Sequence, residues 1–362
     1  MKGFDLGQLS PEDLENWTRV ARSRPFGLAG SWQAAAQMRP FAKPVVVLHS
    51  AGGSFGAVAL RRYAGSTAWV PCAFSRALRS ASWNLDKTAL AGEDVESLLA
   101  NVVEGMSRSE VLMLPLVPEG SPEGLALARL ASWTGVAVRP ADVEMRLPRC
   151  SRYPYFGDVT GHRARRLRSV EKRAELVTVK NIFGASAEDL RNIWPQLMEV
   201  EENGWKGRSP YSPLRSSRTY MSLLQAGAEL GVLSLSLSTF EGRPIAFLVG
   251  FLSGGEYAAF HSAYSDSAKT LAPSVHLYLR VFKDLPDEIE RFSFLRGTEA
   301  YKRGFGPTPV ALNDYYVSRS SWAAERAAKL DVLACQMNAN ARRAASPILK
   351  ASARASGKRR ER

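Results

Sequence analysis

The residues whose types and spacing could do chemistry are concentrated in the segment Phe292–Gly306, FSFLRGTEAYKRGFG. An apolar run that predicts a strand ends at Gly297, and Glu299, Tyr301 and Lys302 follow shortly after it. A tyrosine can protonate a leaving group, a lysine can hold a phosphate or an acidic sugar, and a carboxylate can accept a proton. We therefore interpret the segment as one wall of a group-transfer site. The structural alternative is a tyrosine packed on a sheet beside a Glu299–Lys302 pair.

Three further residues are candidates for a catalytic base. Glu202 lies near the end of a predicted helix beside Trp205, whose indole could shield the carboxylate and raise its pKa. His261 lies on a predicted central strand, and Asp266 follows Tyr264 in a predicted turn. Each has an ordinary alternative: a solvated acid at a helix end, a core histidine, and an aspartate that forms a turn.

A phosphate site is indicated where a helix is predicted to begin near Pro273. A helix N-terminus presents unpaired amides and the positive end of the helix dipole. We therefore expect Ser274, Val275 and His276 to contact the phosphates of a group donor, with Lys302 as a further cofactor contact. An ordinary proline–serine helix start is the alternative reading.

Candidates for binding the acceptor lie on both sides of these groups. Trp205 and Lys206 could line an acceptor groove, because carbohydrate rings stack on indole. We also expect His261 and Arg296 to contact the acceptor. For Trp205, packing between two lobes is the alternative. No serine or cysteine stands in a nucleophile-elbow context, so we expect direct attack of the acceptor on the donor.

The elements that must position these residues follow two patterns. Residues 41–148 read as strand, helix, strand, helix, an α/β lobe. After a basic helix, the later part reads as strand, two helices, three antiparallel strands, helix and strand, with glycine-containing turns between the three strands.

Four local sequences in this order resemble a known family. They are HRARRLRSVEKR, EENGWKG, RPIAFLVGFLSGGEYAAFHSAYSD and FLRGTEAYKRGFG, and they lie within the stretch from Pro154 to about Gly306. The stretch is similar to the cellulose-biosynthesis (CelD/BcsL-like) acetyltransferases, which are GNAT acyltransferases related to FemAB-type aminoacyl transferases. Two positions depart from the pattern: Ser274 stands where the family usually has glycine, and Ser293 where it usually has aspartate.

The resemblance implies an α/β (α+β) fold of two tandem GNAT-like lobes with mixed, largely antiparallel sheets flanked by helices. The expected organisation is a helical leader (1–40), a degenerate GNAT-like lobe (41–150), a basic linker helix with the strand that follows (151–180), the acyltransferase lobe (181–320), and a helix with a basic disordered tail (321–362).

The resemblance also implies a function. We expect transfer of an acetyl or short acyl group from acetyl-CoA or another acyl-CoA, without a metal, to an amino or hydroxyl group of a sugar or lipid-linked saccharide in exopolysaccharide or envelope biosynthesis. One alternative is a FemAB-like transferase that uses aminoacyl-tRNA, and only under this reading is nucleic acid a partner. The other is a non-catalytic binding protein, for which Ser274 and Ser293 argue.

Composition and charge indicate where the protein is located and which surfaces its basic tail could contact. The net charge is +13, and the last 22 residues carry eight lysines and arginines but only one acid. Such a segment cannot bury a core, so we expect a disordered tail that solubilises the chain or contacts an anionic membrane surface weakly. The three cysteines lie far apart and the N-terminus has no secretory pattern, which together predict free thiols and a cytoplasmic protein, with a peripheral position at the inner membrane as the alternative.

Overall fold

A computed structural model describes residues 95–132, 134–157, 159–207, 218–333 and 336–337, with residues 12 and 15 and the backbone of five short strands before residue 92. Most of the predicted helical leader and the whole basic tail lie outside these residues. Cys150 is a free thiol, as expected, and Cys72 and Cys335 lie outside the described part.

The first half of the chain supplies seven strands and two helices in the described residues. Their bounds are β1 Phe4–Asp5, β2 Val45–His49, β3 Phe55–Tyr63, β4 Ser66–Pro71, β5 Leu90–Ala91, α1 Val95–Gly105, β6 Glu110–Pro118, α2 Pro122–Leu130 and β7 Gly135–Pro148. The predicted strand, helix, strand, helix order omitted β3, β4 and β5 between its first strand and first helix. It also omitted β7, because the alternation of apolar and charged residues in that strand is weak.

The second half follows the predicted order and then adds one strand. Its bounds are α3 Gly161–Arg173, β8 Thr178–Phe183, α4 Ala187–Glu202, α5 Arg218–Glu229, β9 Leu233–Phe240, β10 Arg243–Ser253, β11 Glu256–Tyr264, a 3₁₀ turn Asp266–Leu271, α6 Pro273–Asp284, β12 Arg291–Arg296, the short α7 Ala300–Arg303 and β13 Thr308–Ser318. A last helix, α8, covers residues 321–333.

Local sequence accounts for the helix and strand that frame the site. Helix α4 begins with a capping box: the Ser186 hydroxyl accepts from the Asp189 amide at 3.1 Å, and the Asp189 carboxylate accepts from the Ser186 amide at 3.0 Å. Those hydrogen bonds hold the pKa of Asp189 below its ordinary value. Strand β9 alternates leucine with serine, so its leucines face one core and its serines the other side of the sheet.

The strands form one continuous, largely antiparallel sheet. From β6 onward its order is β6-β13-β7-β12-β11-β10-β9-β8, and β4 extends the sheet by pairing with β6. The parallel pairs among the described strands are β4–β6 and β11–β12. Helices cover both faces: α4 and α5 pack over one core and α6 over another. The mixed, largely antiparallel α/β architecture with flanking helices is confirmed.

The two lobes exchange their last strands. Strand β7 follows the first-lobe strand β6 along the chain but pairs with β12 of the second lobe. Strand β13 follows β12 and pairs with β6 of the first lobe, and β7 and β13 pair antiparallel with each other. The predicted domain boundaries remain predictions, but β13, assigned to the second lobe by position in sequence, completes the sheet of the first.

Candidate active site

The candidate site surrounds the point where two parallel strands stop pairing. Strands β11 and β12 pair only through Glu256–Ala258 and Arg291–Ser293. Beyond these residues β11 continues to Tyr264 and β12 to Arg296 with no further pair between them, although both strands lie wholly in the described part of the chain. Backbone groups that a sheet would otherwise satisfy therefore border an opening, where side chains or a bound molecule can meet them.

A β-bulge on β11 aims two successive side chains at one side of the sheet. His261 pairs with Val249 and Ala259 pairs with Gly250, which leaves Phe260 as the extra residue. Both rings consequently contact Tyr220 of α5, with ring centroids 5.7 Å away for Phe260 and 5.5 Å for His261. The bulge thus turns a strand histidine toward helices α4 and α5.

The buried histidine links an acid and a tyrosine. His261 Nε2 lies 3.2 Å from Glu201 Oε2, and His261 Nδ1 lies 2.8 Å from the Tyr220 hydroxyl. All three side chains are buried. Burial, with the charge of Lys206, lowers the pKa of His261 to about 4, so the imidazole is neutral at physiological pH. A tautomer with its hydrogen on Nε2 faces the carboxylate and accepts from the tyrosine at Nδ1.

Lys206 lies at the edge of the opening. Its Nζ donates to the Ser262 carbonyl oxygen at 2.6 Å, on the part of β11 that β12 does not pair. Burial lowers the pKa of Lys206 to about 8, although the carboxylates of Glu201 and Glu299 act in the opposite direction. A substantial fraction of this amine is therefore uncharged in mildly alkaline solution.

A close backbone contact holds the loop that carries Lys206. A Cβ at Gly207 would lie 2.2 Å from the Glu201 carbonyl oxygen at the end of α4, so only glycine fits here without movement. Trp205, 55% exposed, extends outward, and the Lys206 Nζ lies 5.7 Å from the centre of its ring. The indole is thus accessible to a ligand beside the lysine.

The Tyr301–Lys302 segment forms the opposite wall of this opening. Tyr301, 41% exposed, stacks on Tyr278 of α6 with ring centroids 6.0 Å apart, and the Tyr278 hydroxyl donates to the Ser262 hydroxyl at 3.2 Å. Burial raises the pKa of Tyr301, so its phenol stays protonated and can donate. The two tyrosines therefore connect this wall to the unpaired part of β11.

Lys302 stabilises the same wall from inside. It is buried, and its Nζ donates to the Arg296 carbonyl oxygen at 2.7 Å and lies 2.8 Å from Glu299 Oε2. Burial alone would raise the pKa of Glu299, but the hydrogen bond and charge of Lys302 hold it below its ordinary value. The alternative of a Glu299–Lys302 pair at a turn is thus present, and a cofactor contact by Lys302 remains a prediction.

The predicted phosphate site is a helix start without a side-chain cap. Ala272 precedes α6 in a left-handed conformation with φ of 50°, and no side chain caps the helix. Ser274 and Val275 are half-buried in its first turn, and His276 is buried with no hydrogen-bond partner for Nδ1 among the described residues. Burial, with nearby Arg280, lowers the pKa of His276 to about 4. The structure brings the three predicted residues together, and their role remains a prediction.

Three predicted residues lie at the periphery. Glu202 is exposed, so the expected shielding of its carboxylate by Trp205 is wrong, because the end of α4 turns Glu201 inward instead. Asp266 is exposed at the start of the 3₁₀ turn, and its amide donates to the Asn203 carbonyl oxygen at 3.0 Å. Arg296 is half-buried at the end of β12. Their predicted roles are otherwise untested.

Sequence reasoning missed four members of the site: Glu201, Tyr220, Ser262 and Tyr278. A signal existed for Glu201, because it continues the helical spacing of the buried residues Leu190, Ile193 and Leu197 on α4. The other three become recognisable only when α5 and α6 are placed against β11.

The structure also explains the unusual Ser293. Its hydroxyl is fully buried, donates to the Glu144 carboxylate and accepts from the Leu295 amide at 2.9 Å. Leu295 has a φ of 56°, so this hydrogen bond stabilises a strained bend at the end of β12. An aspartate at 293 would place a second carboxylate against Glu144. These hydrogen bonds explain why a serine stands at position 293. The departure from the family pattern is therefore weak evidence that the chain has lost its catalytic site.

Comparison with known proteins supports this description at the level of the domain. Residues 161–303 match the family model described as "Acetyltransferase (GNAT) domain", a range that begins with α3 and ends with α7. The match indicates a transferase of GNAT type in this part of the chain. The match does not identify the narrower cellulose-biosynthesis family, so membership of that family stays a prediction. A search of curated protein sequences gives no match.

Solved structures share the fold along nearly the whole chain. The C-terminal domain of a putative lysylphosphatidylglycerol synthetase from Agrobacterium fabrum is 15% identical with a TM-score of 0.58, covering 86% of this chain and 94% of that one. FemX is 9% identical with a TM-score of 0.57, covering 88% and 98%. L-PGS from Bacillus licheniformis is 12% identical with a TM-score of 0.54, covering 87% and 93%. At these identities the similarity is one of fold.

Proposed function

We propose that the chain transfers an acetyl or other short acyl group from acyl-coenzyme A to an amino or hydroxyl group. The observation that carries the proposal is the opening between β11 and β12, bordered by the Ser262 carbonyl, Lys206 and the Tyr278–Tyr301 pair. A thioester arm inserted there would meet unpaired backbone groups of β11. The uncapped start of α6, which follows β11 after one 3₁₀ turn, would receive its phosphates.

The side chains can be given roles in a direct transfer. The acceptor attacks the thioester carbonyl while neutral Lys206 takes its proton, since a base with a pKa near the working pH is the most effective. The carbon–sulfur bond then breaks, Tyr301 passes its proton to the departing thiolate, and the phenol regains a proton from the Lys206 ammonium. Exposed Trp205 stacks on the acceptor, in the proposed case a sugar or lipid-linked saccharide of an envelope polymer. Glu201, His261 and Tyr220 support β11 behind the reacting groups.

Calorimetric titration with acetyl-coenzyme A tests the donor. We expect micromolar binding, and we expect Ser274→Glu to weaken it strongly because a carboxylate at the start of α6 repels phosphate. Thr178→Glu, on the exposed strand β8, introduces the same charge elsewhere and should leave binding unchanged. Absence of binding at millimolar ligand in the folded wild-type chain would exclude acyl-coenzyme A as the donor.

A second candidate, transfer of an aminoacyl group from aminoacyl-tRNA, is favoured by helix α3. Its exposed side carries five cations with no ion pair to another described residue: Arg163, Arg165, Arg166, Lys172 and Arg173. A sixth, Arg168, lies 5.3 Å from the centre of the Tyr153 ring. Arginine suits phosphate recognition, and α3 packs against α6, the helix whose start is the proposed donor site. The fold shared with FemX and with lysylphosphatidylglycerol synthetases supports this candidate equally well.

Binding of tRNA as a function of salt separates the two candidates. Under the second, the affinity falls steeply with salt, and Arg165→Gln with Arg166→Gln flattens the dependence, because two phosphate contacts are removed. Arg191→Gln, an exposed cation on α4, is the matched control. Salt-independent or undetectable tRNA binding, together with binding of acetyl-coenzyme A, would leave the first candidate.

A further inference from the structure

Helix α8 exposes large apolar side chains on the side that faces water. Trp322 is 66% exposed, Leu333 is 54% exposed, and Met337, which is also helical, is 71% exposed. With 3.6 residues per turn, residues 322, 326, 329 and 333 fall on one side of the helix. The side therefore presents tryptophan, arginine, lysine and leucine in succession, next to Met337.

The opposite side of α8 fixes this orientation. Ala323, Ala324 and Ala327 are buried in a core with Met113 and Tyr316. Near the end of the helix, buried Asp331 accepts from the Tyr316 hydroxyl at 2.6 Å and pairs with Arg139 Nη2 at 3.0 Å. The helix cannot turn its apolar residues inward without breaking this network, so they remain available to a partner.

The charges around the exposed side identify the kind of partner. Arg326 lies 5.1 Å from the centre of the Trp322 ring, and exposed Lys329 is only weakly engaged by Glu325 at 3.7 Å. Beyond residue 340 the sequence adds eight lysines and arginines against the single acid Glu361. An indole and a leucine among cations are suited to the region where lipid headgroups meet acyl chains, and a polybasic segment attracts anionic lipid.

We propose that α8 and the basic segment after it bind the surface of an anionic phospholipid bilayer. Trp322 and Leu333 enter the headgroup region, while Arg326, Lys329 and the basic segment contact lipid phosphates. The contact is peripheral, since no helix among the described residues is long and apolar enough to cross a bilayer. The inference is independent of the proposed transfer reaction, because α8 packs on β6 and β13 and not on the β11–β12 opening.

Flotation of the full chain with lipid vesicles tests the proposal. We expect binding to vesicles of phosphatidylcholine with phosphatidylglycerol and little binding to phosphatidylcholine alone. The Trp322→Ser, Leu333→Ser double variant should bind about tenfold more weakly, because two apolar anchors are lost. The control is Leu125→Ser with Leu176→Ser, which removes two exposed leucines elsewhere and should bind like wild type. Neutralising Lys358, Arg359 and Arg360 with glutamine should weaken binding further and reduce its salt dependence.

Other outcomes would overturn the proposal. Equal binding of the wild type and the Trp322→Ser, Leu333→Ser variant would show that charge alone acts and that the helix face is not an anchor. Failure to bind anionic vesicles, with binding of an RNA oligonucleotide that depends on these residues, would assign the surface to RNA. Thermal unfolding and circular dichroism of each variant establish that it is folded, which Trp322 and Leu333, being exposed, should not affect.

Discussion

Lys206 and His261 lie in one buried environment but titrate in different pH ranges. Burial lowers the pKa of both, but Lys206 retains an amine that titrates near pH 8 whereas His261 stays neutral down to about pH 4. Glu201 lies close to both side chains, and its carboxylate raises the pKa of each, against the effect of burial. The histidine has contacts at both ring nitrogens, so the lysine is the group with a pKa suited to exchange protons with a substrate.

We expect Lys206→Met to lower kcat at least about 100-fold, the usual effect of removing a general base. In the wild type, kcat should rise with pH through about 8 as the amine loses its proton. Glu201→Gln should move this rise to lower pH, since the carboxylate raises the pKa of Lys206. Lys269→Met, an exposed lysine on the 3₁₀ turn, is the control. A pH profile that falls through 8 would instead assign the ammonium an electrostatic role.

We expect His261 to make the protein less stable in acid. Its pKa of about 4 in the folded chain lies below the ordinary value of 6.5, so between these values the unfolded chain binds more protons and stability falls as the pH is lowered. The full effect of this shift is roughly 3 kcal/mol. Denaturant unfolding at several pH values should show the decline, and His261→Gln should remove part of it. His162→Gln, an exposed histidine, should leave the decline unchanged.

At the scale of elements, the site depends on how loops and strand ends are held against their neighbours. The capping box starts α4 in the register that buries Glu201 at the other end of the helix. The bulge at Phe260 turns His261 toward that acid, and the bend at Leu295 ends β12 where Tyr301 can reach Tyr278. The capping box, the bulge and the bend are each local features. Each positions a site residue only because a neighbouring element packs against it.

Gly207→Ala should disturb the loop that carries Lys206. The added carbon would lie 2.2 Å from the Glu201 carbonyl oxygen, so the loop or the end of α4 must move. We expect kcat/KM to fall at least about tenfold and stability to fall by roughly 1–3 kcal/mol. Gly120→Ala, where nothing lies within 4 Å of the added carbon, should cost stability through backbone strain without loss of activity. Full activity in Gly207→Ala would contradict the proposed position of Lys206.

At the scale of the whole molecule, the exchanged strands join the lobes into one structure. Strand β13 lies between β6 and β7 in the sheet, and along the chain it is connected through α7 to β12 of the second lobe. Unfolding of the first-lobe sheet would therefore also displace a strand that is connected to the second lobe. Arg139 on β7, Asp314 on β13 and Asp331 on α8 add a buried ionic network across the same junction. Independent unfolding of either lobe would expose both the sheet and this network.

We therefore expect one cooperative unfolding transition for both lobes. Leu114→Ala, in the core of the first lobe, should destabilise by roughly 2–5 kcal/mol and shift the whole transition, including signals from the second lobe. Differential scanning calorimetry, with fluorescence probes placed in each lobe, measures this. Leu125→Ala, at an exposed leucine, is the control. Two resolved transitions, with Leu114→Ala lowering only one of them, would show that the exchanged strands do not couple the lobes.

The sequence by itself determined most elements of the second lobe and their order, and it drew attention to the segment that contains Tyr301 and Lys302. Periodicity, glycine turns and a proline at a helix start act over a few residues, so FLRGTEAYKRGFG and the start of α6 were recognisable from the chain. The GNAT character of residues 161–303 was recognisable from the resemblance that four local sequences carry in this order.

Only the tertiary structure decided which acid faces the site, which residues support it and how the lobes are joined. Glu201 and Glu202 are adjacent, and the packing of α4 buries the first and exposes the second. Tyr220 meets His261 across 41 residues, and Ser293 meets Glu144 across 149. Strand β13 reaches the first lobe through pairing that no local pattern encodes. Such contacts depend on long-range strand order, which is set by the burial of whole faces and not by the residues within a single element.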